Sequence, residues 1–477
     1  MRRKTGIVIG ACAALALAGS AGAVVSARNS DRPVGTWHEA PAVAAAAPTP
    51  VAHHGSAPAG RVGDPRVTSV PPTTSDTPNT PDASAPRPGT VSAEPSPAAS
   101  ASHPADHRLE SATVKEAGRQ RIGRLLPVDS VLGYLSGPQR QEFAYPGASY
   151  VKVHFDRLAM LPGDYVTVSN PKGTESYRYE ADADGRWAMS VTGDTAIVEV
   201  HRKVNPLGLG NALGGLGIGI DKVARGDQRR PPRENRSNRS PERLDRSPAG
   251  PGREESVCGT DTSTDAVCYE SKDPAAYTKS KAIARLLING TELCTGWRVG
   301  AKNRMITNNH CLTSSDEAYD TEVWFNYQCA KCGGFDVFKP TKVWGDQVLA
   351  TDKTYDYTLF TVDGFESIQK FGFLTLDTVR PRKGEELYVP QHPAGEPARI
   401  AGSQGEAAGT CAVDNPDYTG YAPHSDVSYF CDTAGGSSGS PVISRRTNKV
   451  VALHHFGGCP NSGVRGDLLA GRLRTYL

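Results

Sequence analysis

The placement of its cysteines constrains this chain most. Of ten cysteines, Cys12 stands in an apolar run near the N-terminus, and the other nine all fall between Cys258 and Cys459. The first residues say which compartment those nine meet. "MRRK" is basic, "GIVIGACAALALAGSAGAVV" is apolar and uncharged, and Ala21-Gly22-Ala23 offers small residues for cleavage, so residues 1–23 read as an export signal. An exported chain enters an oxidising compartment, where paired cysteines persist, and nine being odd leaves one over. The apolar run could just span a bilayer as an uncleaved anchor. It is mostly Ala and Gly, with small transfer energies, and cleavage is the reading preferred. A lipid-anchoring role for Cys12 would leave a very short apolar segment. Cys329 and Cys332 have CxxC spacing, but no second CxxC or HxxxH completes four ligands, so no metal is expected.

Composition divides the rest. Residues 24–108 are rich in Ala, Pro, Ser, Thr and Gly, with few large apolar side chains, and are expected to be a disordered propeptide or stalk; His53 and His54 lie in it. Residues 109–202 carry short runs such as "SYVKVHF", "DYVTVSN" and "TAIVEVHR", separated by turn signals such as "PGD" and "NPKG". That pattern predicts a small antiparallel β-sandwich, with no nucleophile or ligand cluster in it. Residues 203–255, Gly-rich and then Arg/Pro/Ser-rich, read as a solvated linker. Residues 256–477 hold the nine cysteines and the densest strand signals, among them "LLINGTEL", where Asn289-Gly290 suits a type I′ hairpin turn. Many short strands without helical periodicity until the tail "DLLAGRLRTYL" make this domain all-β. Net charge is +2, from 53 basic and 51 acidic residues, which gives no reason to expect a nucleic acid or a membrane surface as partner.

Three motifs in the last domain carry chemistry. "MITNNHC" ends on His310, "TYDYTLF" holds Asp356 among strand formers, and "GGSSGSP" bends at Ser438. A serine attacks a carbonyl well only if a base takes its proton, and imidazole suits that task near pH 7. The imidazole needs a carboxylate to fix its tautomer, and the developing oxyanion needs backbone N–H donors. A glycine-rich turn offers such donors, here those of Gly436 and Ser438. The order His310, Asp356, Ser438 over about 130 residues fits this chemistry better than three unrelated loops.

With these residues the domain resembles the chymotrypsin-fold serine endopeptidases, most closely the lysyl and glutamyl endopeptidase branches. "CTGW" before "TNNHC" is similar to the family's cysteine pair around its histidine, "DYTLF" to its aspartate motif and "GSSGSPV" to its nucleophile motif. The resemblance covers nearly all of 256–477 and nothing upstream. It implies a double antiparallel β-barrel with the site between the barrels, no cofactor, protein or peptide substrates, a secreted enzyme with no stable membrane partner, and a monomer. It also implies the disulfides Cys294–Cys311, Cys258–Cys459, Cys268–Cys332 and Cys411–Cys431, leaving Cys329. The last closes a loop of about twenty residues, worth roughly 3 kcal/mol in the chain-entropy account. Ser437 stands where the digestive enzymes have an Asp that pairs with a freshly cut N-terminus, so activation must work otherwise.

Primary specificity has two readings. Asp432, six residues before Ser438, or Asp467 would receive Arg or Lys before the scissile bond, the preferred reading. Thr433 and His455 resemble the polar pair with which glutamyl endopeptidases hold an acidic side chain. Because the motifs all follow residue 255, residues 24–255 are expected to be dispensable for chemistry. Three rivals fit less well. A non-catalytic binding protein on a protease scaffold has no need of all three motif residues. An α/β-hydrolase would place its serine in GxSxG with the histidine last. A metal hydrolase built on His454 and His455 would need neighbours on one strand to face the same way.

Overall fold

The hairpin expected at Asn289-Gly290 is present: in the computed structural model both residues have positive φ (48° and 74°), and Thr291 N–H donates to Ile288 O across the turn at 3.1 Å. The structure describes residues 37–38, 118–133, 139–181, 186–202, 216–228, 257–258, 261–402 and 411–477. The expected export signal, all of the stalk except residues 37–38, and most of the linker lie outside the described residues.

The hairpin belongs to a closed antiparallel barrel. Its six strands run in the order Ile283–Ile288, Glu322–Phe325, Thr341–Asp352, Tyr357–Val362, Met305–Thr307, Glu292–Arg298, and the last pairs back with the first. Closure removes the edges an open sheet would expose. A seventh, two-residue strand from upstream, Gln120–Arg121, is added beside Glu292–Arg298. Leu286, Val323, Phe325 and Phe360 fill the interior. The second sheet runs Thr264–Asp265, Arg399–Ala401, Leu387–Gln391, Pro441–Ser444, Val450–Phe456, Asn461–Arg465, Asp426–Tyr429, Val413–Tyr418. A bridge between Glu386 and Ala412, with Leu387 N–H donating to Cys411 O at 2.9 Å, brings its far edge back to Leu387–Gln391. A core shared by the two barrels, with Trp297, Leu359, Tyr388 and Leu453, holds them side by side. The two sheets make a double antiparallel β-barrel, as expected from the sequence. The tail forms the helix Gly466–Leu473, burying Leu469 and Leu473.

The upstream strands form two sheets around a core with Val153, Phe155, Val166, Val198 and Ile218. The boundary expected at residue 202 needs correction, because the ten-residue strand Gly217–Gly226 lies between Gly123–Leu132 and Tyr150–Ala159. Its glycines made it read as linker. Packing supplies the reason for two of them: a Cβ at Gly219 would sit 2.3 Å from Asp156 Oδ1, and one at Gly226 2.3 Å from the Tyr150 ring. Ile218, Ile220 and, past a register shift, Val223 are buried.

The sandwich is keyed to the first barrel by buried charge. Lys152 Nζ lies 2.9 Å from Glu322 Oε1, and Lys342 Nζ 2.9 Å from Glu175 Oε1, all four side chains almost fully buried. Ser190 donates to Glu322 through N–H (2.9 Å) and Oγ (2.7 Å), and Trp324 Nε1 adds a third bond at 2.8 Å. The ammonium groups also lie over Trp344 and Trp324 at 4.6 and 4.1 Å.

Candidate active site

The site is assembled from the ends of strands. His310 follows the strand Met305–Thr307, and Asp356, with φ of 39°, turns the chain into Tyr357–Val362. Asp356 reaches back with both oxygens: Oδ1 accepts from His310 N–H at 3.0 Å, and Oδ2 lies 2.8 Å from His310 Nδ1. Asn308 Nδ2 donates to Asp356 O at 2.8 Å and ties the two turns together. A carboxylate on Nδ1 puts the proton there and leaves Nε2 as the acceptor, the tautomer a general base needs. Burial would raise the Asp356 carboxyl, but His310 and His455 together hold it far below the usual carboxylate range.

Ser438 sits in the turn ahead of Pro441–Ser444, from the second barrel. Gly436 and Gly439 have φ of 96° and 87°. A Cβ at Gly436 would lie 2.6 Å from Leu293, and one at Gly439 2.1 Å from Thr295 O, so both positions require glycine. Ser437 N–H closes the turn on Ala434 O at 2.9 Å. Thr295 fastens it to the first barrel: its N–H donates to Ser438 O and its hydroxyl to Gly436 O, both at 2.8 Å.

Several residues that sequence reasoning gave to specificity have other partners here. Asp432 is buried, and its oxygens accept from Cys258 N–H (3.0 Å), Thr262 N–H (2.9 Å) and Thr262 Oγ1 (2.7 Å). Burial raises its carboxyl above the ordinary value, against those bonds. Asp467 pairs with Arg465 at 2.5 Å. Both carboxylates have partners within the chain, backbone and hydroxyl donors for Asp432 and the Arg465 guanidinium for Asp467. His455 also has partners within the chain: Nδ1 lies 3.1 Å from Asp356 Oδ2 and Nε2 2.6 Å from Asp426 Oδ2, and the side chain is fully buried. Burial alone would lower its pKa, but the two carboxylates raise it to about 9, so it is a cation behind Asp356. Thr433 is buried near the turn. His454 hydrogen-bonds Tyr429 Oη at 2.7 Å, and burial beside the His455 charge pushes it down to about 3. The two histidines therefore do not converge on one ion.

Four disulfides join Cys258–Cys459, Cys268–Cys332, Cys294–Cys311 and Cys411–Cys431. Cys329 is buried outside them. Cys294, Cys311 and His310 lie close enough to suggest a metal ligand set, but disulfide sulfurs lack the thiolate charge a metal needs. Among the described residues no helix is long and apolar enough to cross a membrane.

Sequence reasoning missed the residues that meet Ser438 from upstream. Gly118 O accepts from Ser438 Oγ at 3.2 Å, and a Cβ on Gly118 would lie 2.2 Å from His310 Nε2. Asp426 was missed as well. A single aspartate in "SDVSYF" gives no signal beyond its place in a strand, and pairing with His455 is a matter of register between Asp426–Tyr429 and its neighbours.

Residues 294–453 match the family model described as a trypsin-like peptidase domain. Among curated proteins, the chain is 40% identical over 231 residues to the secreted RxLR effector protein 73 of Plasmopara viticola, covering 47% of this chain and 56% of that protein. It is 27% identical over 192 residues to the uncharacterized protein y4fB of Sinorhizobium fredii, covering 37% of this chain and 28% of that one. The chain thus spans about half the length, or less, of these relatives. Among solved structures it is similar to a Glu endopeptidase in complex with MPD (18% identity, TM-score 0.34, 46% of this chain and 98% of that one). It is also similar to the Rv3671c protease in its inactive form (16%, TM-score 0.30, 43% and 94%). Residues 294–453 are thus similar to a trypsin-like peptidase domain.

Proposed function

We propose that this protein is an exported serine endopeptidase, with Ser438 as nucleophile, His310 as general base and Asp356 as the group that orients His310. Attack by Ser438 Oγ on a peptide carbonyl would pass its proton to His310 Nε2. His310 would return that proton to the leaving amine, and water would then release the acyl group by the same route. The backbone N–H groups of Gly436 and Ser438 would hold the oxyanion. One observation carries the reading: Gly118 O accepts from Ser438 Oγ, a Cβ on the same residue would lie 2.2 Å from His310 Nε2, and His310 Nδ1 is 2.8 Å from Asp356 Oδ2. An organophosphonate probe is expected to label Ser438, and Ser438→Ala to remove several orders of magnitude of rate on peptide substrates. Full activity in that variant would end this assignment.

A binding protein on a protease scaffold keeps one point in its favour, since Gly118 occupies the place a substrate carbonyl would need. Labelling of Ser438 separates the two readings. For substrate choice before the scissile bond, the engagement of Asp432 and Asp467 within the chain supports neither carboxylate as the floor of a pocket for basic residues. The cationic His455, already committed to two carboxylates, gives the acidic reading no donor to spare.

A further inference from the structure

Residues Gly118–Arg121 cross the site on their way into the sandwich. Gln120 stands opposite Leu293 and Arg121 opposite Glu292 in the added strand, and Ile122 N–H continues onto Thr291 O at 2.9 Å. The Arg119 guanidinium divides among three acceptors. Nε donates to His310 O at 3.0 Å, Nη1 to Glu292 Oε2 at 3.1 Å and Nη2 to Glu317 Oε1 at 2.7 Å. Its side chain is only 6% exposed, although both glutamates keep an edge open to solvent. Gly118, next to it, has φ of 102° and lies against both His310 and Ser438.

We propose that Glu292, Glu317 and the His310 carbonyl form an arginine-accepting subsite on the leaving-group side of Ser438, which the chain fills with its own Arg119, so that Gly118–Arg121 blocks the site until it is displaced. The inference rests on the reading of Ser438 and His310 as nucleophile and base.

Direction of the chain sets the side. Gly118 brings its carbonyl to Ser438, and Arg119 is the residue that follows, where the leaving amine of a substrate would begin. Arginine suits the acceptors because its planar fork serves several at once, whereas a lysine ammonium is a point charge. The pocket is built rather than incidental. Glu317 Oε2 is anchored by Thr313 N–H (2.8 Å) and Thr313 Oγ1 (2.7 Å), which leaves Oε1 for Arg119. Burial would raise the Glu317 carboxyl, but the bonds from Arg119 and Thr313 hold it low.

The pose blocks the site rather than feeding it. Ser438 Oγ gives its proton to the carbonyl it would have to attack, and His310 Nε2 is buried without a hydrogen-bond partner among the described residues. The base therefore does not hold the proton it must take. On the far side, the chain enters the sandwich, which is keyed to the first barrel by Lys152–Glu322 and Lys342–Glu175. The segment is thus tethered at high effective concentration and competes with free substrate.

The test uses the full chain. An organophosphonate probe is applied to the wild type, Arg119→Ala and Gly118→Ala, and labelling of Ser438 is followed by mass spectrometry. Losing the anchor is expected to speed labelling by about ten-fold or more, as the open fraction rises. Gly118→Ala should do the same by a separate route, since its methyl cannot coexist with the His310 ring; it serves if Arg119→Ala does not fold. In an opened variant, peptides with Arg just after the scissile bond should show kcat/KM about ten-fold above those with Ala there, and adding Glu317→Gln should erase the difference. Equal labelling of all three proteins overturns the blocker and leaves the peptidase reading standing. Folded variants that neither label nor cleave overturn both. Cleavage without preference for Arg overturns the subsite.

Discussion

Two clusters of buried charge meet at the first barrel, and they are finished differently. Between sandwich and barrel, Glu322 faces Lys152 and takes three further hydrogen bonds, while Lys342 pairs with Glu175 and donates to Ser190 O at 2.8 Å. At the site, Asp426, His455, Asp356 and His310 alternate acid and base through contacts of 2.6, 3.1 and 2.8 Å, and the series ends at a nitrogen without a partner among the described residues. A buried charge cluster whose members are all paired can hold two bodies in register but has nothing left to react. A series that stops one bond short leaves its last atom available for a proton. Paired charge here keys the sandwich to the barrel, and the unfinished end is where chemistry is expected.

The sharpest way to break this contrast is Asp356→Asn. The amide keeps the size but can present its N–H₂ to His310 Nδ1 and so favour the wrong tautomer. Activity is expected to fall about 10⁴-fold, measured as kcat on a peptide substrate, with the disulfides and circular dichroism unchanged. A loss of only a few-fold would remove His310 from the role of base.

Glu322→Gln should do the reverse. It leaves Lys152 buried without its paired charge, at a cost of roughly 3–5 kcal/mol in denaturant unfolding, while the rate per folded molecule stays near wild type. If stability is unchanged, the sandwich is not held by these charges. If instead activity collapses in folded protein, the two clusters are coupled and the contrast fails.

The series at the site also makes a pH statement. His455 is raised from 6.5 to about 9 in the fold, so its protonated form favours the native state. That stability is fully present below about pH 6.5 and declines as pH rises to about 9, with no further loss above. Asp356 works on the acid side: its lowered carboxyl contributes stability above the unfolded value, lost as pH falls below it. In His455→Gln the alkaline decline should flatten by roughly 1–3 kcal/mol, read from denaturant midpoints across that window. An unchanged alkaline limb would show that His455 is not the titrating group.

How much of this was legible in the sequence depended on whether the signal was local. Asn289-Gly290, the alternation in "TAIVEVHR" and the turn "GGSSGSP" each encode their conformation within a few residues, and the structure has a hairpin, a strand and a glycine-dependent bend at those places. Gly217–Gly226 was hidden because its glycines answer to neighbours brought close by the fold, Asp156 and Tyr150, and look like linker in isolation. Arg119 was hidden for a related reason: it lies 191 residues from His310 and 198 from Glu317, so only the fold brings them together. Asp432 was legible as a residue near the site, while the partners of its oxygens were not. The spacing to Ser438 suggested a pocket floor, and nothing in "CDTAGG" revealed that residues 258 and 262 would return to fill its hydrogen-bonding capacity.

Asp432 supplies the smallest effect and the finest discrimination. If its oxygens serve mainly to hold Cys258 and Thr262, then Asp432→Asn keeps one acceptor, loses the charge and places an N–H₂ against donors. A cost of roughly 1–3 kcal/mol is expected, because a buried donor loses its acceptor. The Cys258–Cys459 disulfide pins the same segment to Gly458-Cys459 and should limit the damage to that strand of chain. Cleavage sites mapped on a denatured protein mixture should then be the same for the variant and the wild type. A wild type that cuts after Arg or Lys, with the preference lost in Asp432→Asn, would return this carboxylate to the pocket floor. It would mean that substrate displaces Thr262, and that one buried charge serves the frame and the chemistry in turn.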